Sequence, residues 1–247
     1  MKKITILLAC LALATTMAFA QSSGSFSYGT NPQGEVACSM DNSGTISNGE
    51  QCQESCTIDA LGNSTCTAAT GTCNGHAVAG IKTSSGAGNI FVVRPSAVIG
   101  LLTDVTVSSK QSGSSTGAVS SSALAGVDFK VTVTGANGTN VPVIPSGYIT
   151  YDSRYIQIST NLFQALATQC SMITGGCFIS FNESTVSAHS FDFLTGGPLT
   201  AGQYTVTTTW KTALGGSGIS ESLSCVGPLN MTVQQNKVFS FNTINPL

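Results

Sequence analysis

Cysteines constrain the fold of this chain more than any other feature of its sequence. Nine cysteines occur in 247 residues, and those that follow Cys10 fall into two odd-numbered groups. The groups are Cys38, Cys52, Cys56, Cys66 and Cys73, and then Cys170, Cys177 and Cys225. An even number of cysteines in an exported chain is typical of a disulfide framework. If all eight pair within one molecule, parity requires at least one disulfide between the two groups.

Local spacing favours two of these disulfides. Cys170 and Cys177 enclose six residues, including Gly175-Gly176, and such a segment can turn the chain back on itself. Cys56 and Cys66 enclose turn-forming Asp and Gly residues, which favour a small hairpin. Cys225 is then left to reach back to one of the five N-terminal cysteines.

The first twenty residues have the three parts of a secretory signal peptide. Lys2 and Lys3 precede the apolar run Ile4–Ala14, and Ala18-Phe19-Ala20 is an A-x-A cleavage site. The apolar run is shorter than the roughly 20 residues of a transmembrane helix. A lipoprotein signal ending at Cys10 is the competing interpretation. We expect cleavage after Ala20, no transmembrane segment afterwards, and export to the periplasm, the cell surface or the medium.

Charge is scarce in this sequence. Charged residues make up 8% of the chain, against about 25% in typical soluble domains. Without Lys2 and Lys3, seven basic residues remain against eleven acidic ones, a formal charge of −4. Because no basic block is present, nucleic acid is not an expected partner. A weakly charged surface is compatible with self-assembly or with attachment to a surface or glycan, and also with an ordinary secreted domain.

Short strand-like runs separated by Gly, Pro, Asn and Ser fill most of the remaining chain. In Val127–Thr134 apolar and polar side chains alternate, which is typical of a half-buried strand. The predicted strands are Asn89–Val93, Ile99–Val107, Val127–Thr134, Tyr148–Ile158, Cys177–Phe181, Gln203–Trp210, Ile219–Cys225, Leu229–Val233 and Val238–Phe241. This pattern predicts an all-β protein, an antiparallel β-sandwich of immunoglobulin-like or jelly-roll-like type with an N-terminal disulfide-rich module.

The same pattern divides the chain into segments. We expect a signal peptide at 1–20, a flexible Ser/Gly-rich leader at 21–34, a Cys-rich module at 35–74 and the β-sandwich domain at 75–247. Within the sandwich, Ser108–Ser122 is polar enough for an exposed loop. Asn161–Thr168 is predicted to form one short helix because Ser159 and Thr160 can cap it.

No catalytic residue, cofactor or metal site is predicted. The two histidines are His76 and His189, and Ser187 to Asp192 contains Ser, His and Asp within six residues. Members of a catalytic triad converge from separate parts of a chain, so this closeness in sequence does not indicate one. We therefore expect a non-enzymatic protein.

Two candidate metal patterns depart from the known ones. Four of the N-terminal cysteines, with His76, lack the paired C-x2-C spacing of zinc sites. Asp41-Asn-Ser-Gly-Thr lacks the Gly and Glu that an EF-hand loop needs at positions six and twelve. Turn formation is the favoured role of Asp41 and of Asp59, and whether these turns also hold a cation is left open.

Carbohydrate sites often stack a sugar ring on an aromatic side chain, so the aromatic residues are the candidates for such a site. Trp210 ends the alternating run Tyr204–Trp210, where a place in the core or on the sheet surface is the favoured interpretation. Tyr148, Tyr151 and Tyr155 do not share one strand parity, so the sequence does not predict a stacking platform from them.

The run Pro198-Leu-Thr-Ala-Gly202-Gln-Tyr204-Thr-Val-Thr resembles the entry into a late strand of immunoglobulin-like sandwiches. Bacterial pilus subunits and adhesins often contain this sequence pattern. Roughly 40 residues follow it here, whereas a pilus subunit normally ends at this point. The resemblance implies a surface, adhesive or appendage role, and fold alone does not carry function. The sequence therefore predicts an exported non-enzymatic surface protein, adhesive or structural. The alternative is a secreted carbohydrate- or ligand-binding sandwich module.

Overall fold

The computed structural model describes residues 25–30, 36–59, 63–83, 88–108, 120–159 and 177–238. These residues form sixteen strands and no helix, which confirms the all-β prediction. The strands are β1 (Phe26–Thr30), β2 (Ser39–Met40), β3 (Ile46–Ser47), β4 (Glu50–Ile58), β5 (Ser64–Cys66), β6 (Thr70–Gly71), β7 (Asn74–Thr83), β8 (Asn89–Ser108), β9 (Ser120–Gly135), β10 (Asn140–Val141), β11 (Val143–Ile144), β12 (Ile149–Ser159), β13 (Phe178–Ser190), β14 (Phe193–Thr195), β15 (Gly202–Ser217) and β16 (Ile219–Lys237).

Two antiparallel sheets carry most of these strands. The larger sheet is centred on β8 and β16, which pair with each other along nearly their whole length. The far side of β8 pairs with β13 and β14, and the far side of β16 pairs with β4 and β1. The smaller sheet runs β12, β9, β15, β7, with β10 on the same side of β9 as β12.

The core lies between the two sheets, because the alternating strands turn their apolar side chains towards each other. One cluster joins Phe91 and Met231 of the larger sheet to Val131 and Val206 of the smaller one. A second joins Leu101 and Leu229 to Phe129 and Trp210. Burying each such side chain stabilises the fold by roughly 1.5–3 kcal/mol. Trp210 is 1% exposed, so of the two structural places left open for it, the core and the sheet surface, it occupies the core.

Part of the larger sheet's outer face is covered as well. Leu102 and Leu223 lie opposite each other there, and they pack against Ile46 of the β2–β3 hairpin. The disulfide between Cys38 and Cys225 fixes this hairpin to β16. The N-terminal part of the chain thus closes over a sheet that is built mainly from the C-terminal part.

Three disulfides join six of the described cysteines, and they place the chain in an oxidising environment. The pairs are Cys38–Cys225, Cys52–Cys73 and Cys56–Cys66. The first is the long-range disulfide between the two groups, and the last is the expected hairpin disulfide. Cys177 is also disulfide-bonded. Cys170 lies outside the described residues, so its pairing with Cys177 stays a prediction.

Several expected boundaries differ from the structure. The leader assigned to 21–34 contains β1, which pairs with β16, and the module at 35–74 contributes β4 to the larger sheet. Residues 120–122 of the expected loop Ser108–Ser122 belong to β9. The expected helix Asn161–Thr168 lies outside the described residues, as does 239–241 of the last predicted strand. The N-terminal segments join the sandwich because β16 is long enough to offer pairing positions to both.

Candidate functional site

The residues that look catalytic in the sequence do not form a proton relay. Ser187 Oγ lies 2.6 Å from His189 Nε2, and Asp152 Oδ2 lies 3.4 Å from the same nitrogen. A Ser-His-Asp relay needs the serine and the carboxylate on opposite ring nitrogens. These three side chains link β12 of the smaller sheet to β13 of the larger one. Arg154 of β12 and Glu183 of β13 form a second contact between the same strands, at 3.5 Å.

Asp192 pairs with Arg94, whereas the carboxylate close to His189 is that of Asp152. The Asp192 carboxylate accepts two hydrogen bonds from Arg94, at 2.6 Å from Nε and 2.7 Å from Nη2. These bonds and the charge of the guanidinium hold the pKa of Asp192 below its usual range and raise the pKa of Arg94. Asp192 therefore belongs to a surface ion pair.

The candidate metal ligands are engaged in other bonds. Glu54 lies close to the sulfurs of Cys56 and Cys66, but these two share a disulfide and neither is a thiolate. Asp41 Oδ1 accepts hydrogen bonds from the backbone of Ser43 and Thr45, and the side-chain bond from Ser43 contributes most to lowering the pKa of Asp41. Asp59 accepts two hydrogen bonds from Asn63 in the same way. Both carboxylates hold turns, as the sequence suggested.

A cleft of about 400 Å³ opens at one end of the sandwich, between the β9–β10 turn and the segment before β15. Three of its polar side chains hydrogen-bond within the protein. Asn137 accepts from the backbone of Thr139, Asn140 accepts from Thr134, and the Tyr204 hydroxyl donates to the carbonyl of Thr200. This cleft is therefore a weak candidate for the ligand site.

The outer face of the smaller sheet presents mostly polar side chains in the part of the chain that the structure describes. Strand pairing places its side chains in rows, because residues opposite each other on neighbouring strands face the same side. Each row crosses β9, β15 and β7. One row contains Lys130, Thr209 and His76, and the next contains Thr132, Thr207 and Val78. The strand side chains facing outwards include Asp128, Lys130, Thr132, Thr134, Gln203, Thr205, Thr207, Thr209, Lys211, Asn74, His76, Val78, Lys82 and Thr150, and further along β9 and β12 Leu124 and Tyr155.

Three residues form a compact group on this face, here named the lysine–tyrosine cluster: Lys130, Tyr148 and Lys211. Lys211 Nζ lies 4.5 Å from the centroid of the Tyr148 ring, and Lys130 Nζ lies 5.8 Å from it. Both distances are within the range of cation–π attraction. Asp128 supports the group, since it lies 3.8 Å from Lys211 Nζ and accepts a hydrogen bond from Thr150.

The three tyrosines of interest occupy different environments. Tyr148 is 44% exposed in the cluster, and Tyr155 is 60% exposed further along β12. Tyr151 turns inwards, stacks on Phe129 at 4.1 Å and donates a hydrogen bond to the carbonyl of Pro95. Burial raises the pKa of the Tyr151 hydroxyl. These residues form no common platform, and Tyr148 faces lysines rather than other aromatic rings.

A second exposed aromatic pair lies on the outer face of the larger sheet. Phe26 and Tyr28 of β1 are 63% and 73% exposed, and they lie opposite Gln234 and Thr232 of β16. Arg94 continues the row beyond Thr232. This pair provides a comparison surface for experiments on the smaller sheet.

No protein-family model matches this chain, and no curated protein matches it either. None of the described segments is a helix that is long and apolar enough to pass through a lipid bilayer.

Sequence reasoning missed the lysine–tyrosine cluster. The outward positions of Lys130 and Lys211 follow from the alternation of polar and apolar residues in their strands, which the sequence shows. That the two strands are neighbours in matching register, with Tyr148 beside them, depends on pairing between residues far apart in the chain.

Proposed function

We propose that this chain is an exported, non-catalytic surface protein that adheres through the outer face of the smaller sheet. The observation that carries the proposal is the continuity of that face. Four strands present rows of threonine, lysine, asparagine and histidine side chains, and Thr132, Thr205 and His76 among them are exposed. The outer face of the larger sheet, in contrast, is partly covered by the β2–β3 hairpin.

Three further observations support an exported adhesive protein. The disulfides require an oxidising compartment, and the signal-like N-terminus provides a route to one. The low content of charge reduces repulsion from surfaces and from other copies. The segment that resembles immunoglobulin-like adhesins contains a tyrosine, Tyr204, whose hydroxyl donates to the carbonyl of Thr200. A bond of this kind is a feature of immunoglobulin-like sandwiches.

An adhesion assay with purified protein tests this function. Microspheres coated with residues 21–247 are passed over immobilised glycans and proteins, and their retention under flow is measured. Thr132→Glu places a longer, charged side chain in the middle of the face, and we expect retention to fall about tenfold because the new carboxylate must lose water on contact.

The matched control is Thr232→Glu, which makes the same change on the outer face of the larger sheet. It should leave retention unchanged. If the coated beads adhere to none of the matrices, or if Thr232→Glu weakens retention as much as Thr132→Glu does, the proposed face is not adhesive.

A further inference from the structure

The lysine–tyrosine cluster concentrates positive charge on a protein that is otherwise negative. Among the described residues, Arg94 is paired with Asp192 and Arg154 with Glu183, whereas Lys130 has no carboxylate within 4.0 Å. Asp128 faces Lys211, and it is the one acidic residue among the outward side chains that the structure describes on this face. With Lys82 on the same face, the surface is net positive while the chain without its first twenty residues carries a formal charge of −4.

Tyr148 limits the distance between the two ammonium groups. Because both lie close to its ring, Lys130 Nζ and Lys211 Nζ can be no more than about 10 Å apart. Free lysine side chains lose conformational entropy when they bind a ligand, and side chains held in place beforehand lose less. The cluster is therefore two preorganised cations on an exposed surface, separated by a distance that neighbouring groups on one polymer can span.

Hydroxyl groups surround these cations. Thr209 lies opposite Lys130 on the neighbouring strand, and Thr132 follows Lys130 on the same face. The hydroxyls of Thr132 and Thr209 donate to the carbonyls of Thr207 and Lys130, and their oxygens can still accept hydrogen bonds from the hydroxyls of a sugar. A ligand for this surface needs regularly spaced anionic groups together with many hydroxyls.

We infer that the lysine–tyrosine cluster binds an acidic polysaccharide, with the two ammonium groups on carboxylates of the sugar chain and the threonines on its hydroxyls. The inference rests on the proposed adhesive function and names its ligand class. Nucleic acid fits less well, because its dense charge attracts long basic stripes, and this face offers two clustered lysines on a negative protein.

The test compares two forms of one polymer. Binding of residues 21–247 to polygalacturonate and to its fully methyl-esterified form is measured by biolayer interferometry. The ester keeps the sugar backbone and removes the charge. We expect the acidic form to bind at least tenfold more tightly, with an affinity that falls as salt is raised from 50 to 500 mM. Equal binding of both forms would overturn the inference, as would tighter binding of double-stranded DNA.

Variants locate the site. Lys130→Gln with Lys211→Gln should weaken binding to polygalacturonate at least tenfold, whereas Arg94→Gln on the opposite sheet should change it less than twofold. Tyr148→Leu keeps every charge and should still weaken binding several-fold, because the ammonium groups lose their support. Circular dichroism checks that each variant is folded. If Tyr148→Leu and the lysine variants bind like the parent protein, the cluster is not the site.

Different results would contradict the adhesive face and the acidic-polysaccharide ligand. If the beads adhere to other matrices in a way that Thr132→Glu abolishes, but polygalacturonate does not bind, the ligand class is wrong and the adhesive face stands. If Thr132→Glu has no effect on any matrix, the adhesive face itself is wrong.

Discussion

At the scale of single residues, the structure leaves no space for a side chain at Gly75. A Cβ placed there would lie 2.6 Å from Nε1 of Trp210, which is the largest of the fully buried side chains. The indole N–H has no hydrogen-bond partner among the described residues. Gly75 and Trp210 lie opposite each other on β7 and β15, so the glycine provides the room that the tryptophan fills.

Gly75→Ala should therefore destabilise the protein. Overpacking of a well-filled core typically costs about 1–3 kcal/mol, and urea denaturation followed by tryptophan fluorescence measures the loss. Gly80→Ala is the control on the same strand, since a Cβ there meets nothing within 4 Å. That change should be neutral or stabilise by about 0.5–1 kcal/mol, because glycine weakens a strand. Equal losses for the two variants would contradict this account of the Gly75–Trp210 contact.

At the scale of elements, the sequence indicated most strands correctly and misjudged where they end. Asn89–Val93 and Ile99–Val107 are both part of β8, which continues through Pro95. Proline suggested a break because it lacks an N–H. Pro95 is tolerated because it falls between the partners of β8 on one side, where pairing with β14 ends at Val93 and pairing with β13 begins at Ser96.

The sequence pattern also divided β16 into two strands. Ile219–Cys225 and Leu229–Val233 were expected to be separate strands, but they form one strand whose register shifts between Val226 and Leu229. Gly227 in this bulge has a φ of +151°, and its carbonyl accepts a hydrogen bond from the backbone of Cys38. The bulge lets the N-terminal segment cross β16. Its partner is 189 residues away in sequence, so no local pattern predicts it.

The disulfide that fixes the β2–β3 hairpin to β16 closes a much longer loop than the disulfide between Cys56 and Cys66. In the chain-entropy model, closing a loop of 187 residues between Cys38 and Cys225 contributes about 5 kcal/mol, and a loop of 10 residues between Cys56 and Cys66 about 3 kcal/mol. Replacing Cys38 and Cys225 by serine should cost more stability than replacing Cys56 and Cys66. Urea midpoints of the two double variants measure the difference. A larger loss for Cys56 and Cys66 would contradict the prediction.

At the scale of the whole molecule, sequence alone could predict the fold class but not the candidate site. Alternation, turn residues and cysteine parity each reflect local chemistry or simple counting, and they predicted a disulfide-linked antiparallel sandwich. The outer face of the smaller sheet depends instead on which strands are neighbours. Lys130 and Lys211 are 81 residues apart and meet at Tyr148 only because β9 and β15 pair in register.

The Cys38–Cys225 disulfide has a mechanical consequence. Ser25 and Gln235 are neighbours at one end of the β1–β16 pair, so tension on residues 25 and 238 opens that pair one hydrogen bond at a time and peels the end of β16 from β8. The disulfide then carries the load, and the 187 residues that it spans are shielded from extension. A molecule pulled from residues 25 and 238 should lengthen by only about 26 residues, or roughly 90 Å of extended chain. Optical tweezers should record several hundred ångströms more once the disulfide is reduced, and a full extension before reduction would show that the load takes another path.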